Sequence, residues 1–330
     1  MWWWWLACRS DPAVVGAAEP APDDLAALVV ADATFEVTLV RGDEVLHRWQ
    51  VDPAAHGVPT ERTSFRRAWL QPDGGLLALV EYESLWRLAP DGAVGWVVAD
   101  GNHHDVAPTD DGGWFSLVEV PVPGASPENH LLRYGPDGRP VARVDLVEAL
   151  AASPGQEALA AAARVGEDPL HLNGLWLLEG HDDPRFADGH LLVSSRAQDT
   201  LFVVDPVAQV VTWSGAGPFL GQHDPRFLAP DRLLLFDNGD RARGSSAVEL
   251  SFPGLEERWR SEALPFATCC GTVQRLGEDT WVVHTPRGLA VRFGDDGHMV
   301  DAWDPPETPD RLYQAEWVEV PEGLLSEDPG

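Results

Sequence analysis

A chain of 330 residues holds one large domain or two ordinary ones, and its 44% apolar content supplies a core. Its formal charge of −30, from 53 acidic against 23 basic side chains, argues against a nucleic-acid partner, which needs a basic footprint. Gly (31) and Pro (28) are dispersed between short β-type runs, which argues for many strands and turns rather than disorder, and three cysteines make no disulfide scaffold.

The chain opens MWWWWLACRSDP. Leu6-Ala7-Cys8 has the look of the end of a bacterial lipoprotein signal, which makes Cys8 a candidate for lipidation and membrane attachment. The apolar segment is short for a signal, and no Lys or Arg precedes it. The expected location is therefore the cell envelope, periplasmic or membrane-anchored, or the cytoplasm if this segment is not a signal. Residues 13–32, rich in Ala, Pro and Asp, read as a tether, so 1–32 are assigned to signal remnant and tether. Nothing else approaches the ~20 apolar residues of a membrane span.

A repeat of about 35–50 residues follows, the range of propeller blades. Two or three strands come first, around residues 35–40 and 45–51. The first full copy runs from Arg67 through the turn Gln71-Pro72-Asp73-Gly74-Gly75 to residue 98, with a second turn at Pro90-Asp91-Gly92. The second starts at His103-His104-Asp105 and turns at Asp137-Gly138. Residues 145–166, Ala- and Leu-rich, predict two short helices broken at Pro154-Gly155 and lying over one face. The third copy starts at His171-Leu172-Asn173, the fourth at His223 and the fifth near Cys270. A lone strand at 314–320 remains at the C-terminus. Joined to the N-terminal strands it makes a sixth blade, and closing the ring hides the sheet edges. The expectation is an all-β fold: one six-bladed β-propeller over residues 33–322, closed by strands from both termini, with a short helical insertion between blades two and three. A flexible tail takes 323–330.

The innermost strand of each blade lines the central channel, so residues at equal phase in the repeats form a ring. That ring reads Arg67, His103 or His104, His171, His223 and Cys270. Ser194-Ser195-Arg196 ends a strand of the third blade, and an Arg in a partly buried channel needs a carboxylate or an anionic ligand. Asn173 shares a strand face with His171. Asn238 ends Asp237-Asn238-Gly239, which equally fits turn chemistry. Such a set suits a metal, because neutral His is a common ligand, or an oxyanion, because Arg and protonated His give charge-assisted hydrogen bonds. Arg67, Arg196 and the three His predict a locally positive channel. Trp114, Trp176 and Phe227 are candidates to stack an aryl ring, and Cys269 and Cys270 read as two small buried thiols.

His103-His104-Asp105, Pro169-Leu170-His171-Leu172-Asn173, Val193-Ser194-Ser195-Arg196, Gln222-His223-Asp224 and Phe236-Asp237-Asn238-Gly239 occur in an order that resembles the bacterial aryl sulfate sulfotransferases. The resemblance spans roughly residues 66–320. It implies a six-bladed propeller that moves sulfuryl groups from an aryl sulfate donor to a phenol acceptor without the nucleotide PAPS, any other cofactor or a metal. It implies His223 as the nucleophile that becomes sulfohistidine. His104 (or His103), His171 and Arg196 would hold the sulfate oxygens, with Asn173 orienting them and Asn238 and Arg67 completing the substrate site. His104 is preferred to His103 because it precedes Asp105 as His223 precedes Asp224. The chain lacks the large N-terminal β-domain of the best-known members and their disulfide spacing, so their dimer mode does not carry over and no oligomeric state is assigned. Two other readings stand beside this one: a non-catalytic propeller lipoprotein binding an anion or a partner protein, and a metal-dependent hydrolase of the lactonase type.

Overall fold

The computed structural model describes residues 25–31, 34–58, 64–306 and 311–325; Cys8 and most of the expected tether lie outside them. Six four-stranded antiparallel sheets form a ring. Blades one to five take residues 65–98, 102–145, 172–215, 223–260 and 272–303 in order, each running from its inner to its outer strand. The sixth places Leu312–Glu319 innermost, then Leu25–Ala31, Glu36–Arg41 and Glu44–Gln50.

Local chemistry explains the repeat. The second strands carry long apolar runs: Leu76–Val80 and Leu191–Ser195 are buried at every position, because neighbouring blades cover both faces. The core is accordingly a set of layers between blades rather than one central mass. Hairpin turns repeat one device, an Asp whose carboxylate accepts the N–H two residues on, as from Asp73 to Gly75 and from Asp91 to Ala93 (3.0 Å each).

The propeller begins earlier than residue 33. Leu25–Ala31 pairs with both Leu312–Glu319 and Glu36–Arg41, so it sits inside the sixth sheet. Its LAALVVA run carries no alternation because both of its faces are covered, and six of its seven residues are buried. Leu324, assigned from the sequence to the tail, packs against the core between blades six and one.

The insertion forms helices α1 (Leu146–Ala151) and α2 (Glu157–Ala162) between blades two and three. Asp145 caps α1 by accepting the Glu148 N–H at 3.0 Å. Leu146, Val147 and Leu150 enter the layer between the two blades, and Ser153 Oγ accepts the Val211 N–H of the outer strand of blade three at 2.7 Å. The insertion therefore braces the outer strands.

Inner strands are stapled to one another by side chains. Asp105 Oδ2 accepts the Leu175 N–H of the next blade (3.0 Å) and Asp224 Oδ2 accepts that of Val273 (2.8 Å). Gln314 clasps both backbone groups of Ala68 at 2.7 and 2.8 Å. These staples hold the strand ends, and hence the histidines, at fixed angles around the channel.

Candidate functional site

The starts of the inner strands crowd one mouth of the channel, and their backbone is irregular there. His104, His171, Asp224 and Cys270 have φ of 57°, 43°, 51° and 63°, left-handed values that cost a non-glycine residue about 1–3 kcal/mol. Register shifts between His103 and Val106, Leu172 and Gly174, and His223 and Arg226 mark bulges at the same level. Bulges re-aim side chains. Here they turn imidazoles into the channel.

His223 is the best-defined member. Its Nδ1 faces two acceptors, Asn238 Oδ1 at 2.6 Å and Gly221 O at 3.0 Å. Asn238 is itself oriented, because its Nδ2 donates to Ala267 O (3.0 Å) and Cys270 O (3.2 Å). Nδ1 therefore carries the proton and Nε2 carries the lone pair, which accepts the Cys270 N–H at 3.2 Å. Burial, reinforced by the charges of Arg196 and His171, brings its pKa down to about 3 against the opposing hydrogen bond of Asn238, so the ring is neutral.

Arg196 follows the second strand of blade three. Its N–H is held by His171 O (3.0 Å) and its Nη2 donates to Thr268 O (2.7 Å). Its Nε is buried with no partner, and no carboxylate among the described residues pairs with it. It lies against Gly221, the residue whose carbonyl accepts from His223: a Cβ built on Gly221 would stand 3.9 Å from Arg196 Nε and 3.8 Å from Asn238 Cβ.

The other histidines are differently engaged. His104 has both nitrogens occupied, Nδ1 by His103 Nδ1 (2.9 Å) and Nε2 by Glu81 Oε1 (3.0 Å). Burial first, then the neighbouring imidazoles and Arg67, holds its pKa well below the usual histidine value. His171 Nδ1 is bonded to Asp168 Oδ2, its N–H donates to Asp168 Oδ1 (3.0 Å), and its ring lies 5.2 Å from that of His104.

Several expected roles change. His103 is buried beneath Tyr82, ring on ring at 5.1 Å, and is not open to a ligand. Asn173 donates to Gln222 O (2.7 Å), and so sets the residue before His223. Asn238 spends its whole amide on protein partners. Both amides thus help to position His223, and Asn173 Oδ1 is buried without a partner. Arg67 is neutralised by Asp224 (2.9 Å) and Asp105 (3.5 Å), and Arg226 joins Asp224 (2.9 Å) to Glu316 (2.8 Å). This buried network engages Arg67 on two carboxylates, whereas Arg196, at the histidine mouth, has no carboxylate partner among the described residues. Trp176 and Phe227 line a separate cavity of about 490 Å³ beyond the network, at the other mouth. Trp114 is core, stacked at 5.0 Å on Trp96.

Cys269 is exposed and Cys270 half-buried. Their Sγ atoms lie 2.6 Å apart, and the hydrogen bond from Cys270 draws the Cys269 thiol down to about 6. Among the described residues no group of three or more His, Cys, Asp or Glu side chains is arranged to hold a metal ion.

Sequence reasoning missed Glu81, Glu119, Asp168 and Tyr82. Glu81 and Tyr82 directly follow the second strand of blade one, and Glu119 lies near the end of that of blade two. In an antiparallel hairpin these ends lie beside the start of the inner strand. Arg196 and Asn238 occupy the same places in blades three and four, so that rule applied to every blade would have found three of the four.

The fold is a six-bladed propeller with a neutral histidine at one channel mouth and, beside it, an arginine that has no carboxylate partner among the described residues. This fold is shared with a protein of unknown function from Bacteroides caccae (TM-score 0.60, 10% identity, covering 89% of this chain and 99% of that one). A nidogen/laminin complex (TM-score 0.56, 12% identity, 90% and 99%) and a functionally unknown protein from Desulfotomaculum acetoxidans (TM-score 0.52, 11% identity, 86% and 81%) are also similar. At such identities the likeness concerns the fold alone. Residues 141–288 match the arylsulfotransferase (ASST) family, which supports a sulfotransferase-type function in general. No curated protein matches the sequence.

Proposed function

We propose that this protein transfers a sulfuryl group from a phenolic sulfate ester to a phenol, without PAPS, through a sulfohistidine at His223. The observation that supports the reading is the His223–Asn238 hydrogen bond: it leaves the lone pair on Nε2, in a ring that feels the charge of Arg196. Nε2 attacks sulfur, the bond from sulfur to the phenolic oxygen breaks, and the sulfuryl group resides on the imidazole until a second phenol takes it. As with phosphoryl transfer, a loose transition state asks mainly for positioning and charge stabilisation. Arg196 and the Cys270 N–H, released from Nε2 as the N–S bond forms, are the donors for the sulfuryl oxygens. Tyr82, 41% exposed and packed on His103 and His104, is the aromatic surface available to an aryl ring.

The test is turnover of 4-nitrophenyl sulfate with a phenol acceptor. Wild-type protein should turn over with ping-pong kinetics, and protein quenched at alkaline pH with donor alone should gain one sulfuryl group in the peptide containing His223. His223→Asn should lose both label and turnover while keeping its fold. Turnover by that variant, or label on His104 or His171, sinks the nucleophile assignment. A wild type inert toward every aryl sulfate leaves the non-catalytic binding reading.

A further inference from the structure

Among the three channel histidines, only His171 pairs one nitrogen with a carboxylate and has no partner among the described residues at the other. Nδ1 is bonded to Asp168 Oδ2, and the Asp168 carboxylate also receives the His171 backbone N–H at 3.0 Å, which locks the two side chains in one orientation. Asp168 in turn is hydrogen-bonded by Glu119. Burial, with the charge of Asp168 next in weight, pushes the Glu119 carboxyl up to about 7, so below that pH it can donate to Asp168. Asp168 ionises more readily than an ordinary aspartate: its burial opposes this, but the hydrogen bond and charge of His171 prevail. The result is a carboxyl–carboxylate–imidazole line ending at His171 Nε2, on a side chain 27% exposed to the channel mouth.

A hydrogen bond at Nδ1 to a carboxylate settles what Nε2 can do. With Nδ1–H given to Asp168, Nε2 bears a proton only as the imidazolium, and a lone pair otherwise. His104 cannot alternate in this way while His103 and Glu81 hold both its nitrogens, and His223 needs its own Nε2 for sulfur. We infer that His171 is the general acid and base of the transfer, with Asp168 as its positioning residue and Glu119 buttressing Asp168. This rests on the sulfotransferase reading and deepens it.

The proton balance closes within the site. As His223 Nε2 bonds to sulfur, the S–O bond electrons go to the departing phenolic oxygen, and the His171 imidazolium gives that oxygen its Nε2 proton. The donor leaves as a neutral phenol and His171 becomes neutral. The acceptor phenol then gives its proton to His171 Nε2 as its oxygen attacks sulfur, and the N–S bond electrons return to His223.

General acid catalysis matters most for a poor leaving group, which separates this role from a structural one. The experiment compares Asp168→Asn with wild type on phenyl sulfate and on 4-nitrophenyl sulfate, whose phenolate leaves without protonation. The loss in kcat/KM for phenyl sulfate should exceed that for 4-nitrophenyl sulfate by at least about tenfold, a part of the ~10²–10⁴ that such catalysis supplies. His171→Gln should show the same donor-selective loss, so the idea stays testable if the aspartate variant does not fold. Asp168→Glu should recover part of it. An equal loss on both donors in the folded variants overturns the acid–base role while leaving the sulfotransferase reading intact. Inactivity of wild type on both donors defeats that reading itself.

Discussion

His223 Nδ1 and Asn238 Oδ1 lie 2.6 Å apart, and this contact decides which nitrogen of the imidazole faces the channel. Replacing Asn238 by Ala frees the ring to rotate and to exchange tautomers. The expected result is a fall in kcat of about a hundredfold, the usual cost of misplacing a reacting group by an ångström. Circular dichroism should stay native. Asn238→Asp keeps the acceptor but adds negative charge beside Nδ1, which raises the pKa of His223 and moves the acid limb of kcat/KM to higher pH. An Ala variant with wild-type kcat removes the tautomer argument.

Arg196→Ala should lower kcat/KM by about a hundredfold, the cost of one lost oxyanion donor, with little change in stability because no carboxylate among the described residues pairs with it and its Nε has no partner. Arg196→Lys should recover little, since a point charge cannot match the planar fork of a guanidinium. Inhibition by sulfate or vanadate should weaken in both variants. Full activity in the Lys variant rules out a bidentate contact.

Arg67 now carries a stability prediction. Arg67→Met leaves Asp105 and Asp224 buried with less compensation and should cost about 3 kcal/mol in urea unfolding. Adding Asp105→Asn should restore part of that loss, because Asp224 keeps Arg226. A stable Arg67→Met protein with a raised KM would return Arg67 to the substrate site.

His103 is buried, and burial takes its pKa down to about 3 despite the opposing charge of Asp168. The unfolded side chain titrates near 6.5. Between about pH 6.5 and 3 the unfolded state therefore binds more protons, and this residue removes up to about 1.4 kcal/mol of stability per unit fall in pH. Asp105, raised to about 6, and Glu119, raised to about 7, act in the opposite direction, so the effect is read as a difference. His103→Gln should gain stability relative to wild type between pH 7 and 5 in urea melts. A difference that does not change with pH shows that the folded histidine titrates normally.

Leu28 tests where the domain begins. It is 1% exposed in the layer between blades six and one, so Leu28→Ala should cost about 2–5 kcal/mol. A substitution in a tether is neutral. An unchanged thermal midpoint would place Leu25–Ala31 outside the folded unit.

Blade number, ring closure and the two helices were legible in the sequence because they are short-range facts: Asp-Gly turns, apolar runs of strand length and an Ala-rich interruption each act within a few residues. The histidines were legible for the same reason, as repeats of one motif at one phase. Leu25–Ala31 was not, since a strand buried on both faces shows no alternation and its Ala content matched that of a tether. What each site residue does was decided only by the ring. Whether Arg67 is free or neutralised depends on Asp105 and Asp224, which arrive from blades two and four. Whether His223 presents Nε2 or Nδ1 depends on Asn238, fifteen residues on and across a hairpin, and on carbonyls of the loop before blade five. His171 gains a carboxylate relay only because Glu119, from the second strand of blade two, meets the loop that opens blade three. Ionisation and hydrogen bonding are set by what lies within a few ångströms in space, and in a propeller those neighbours come from different repeats.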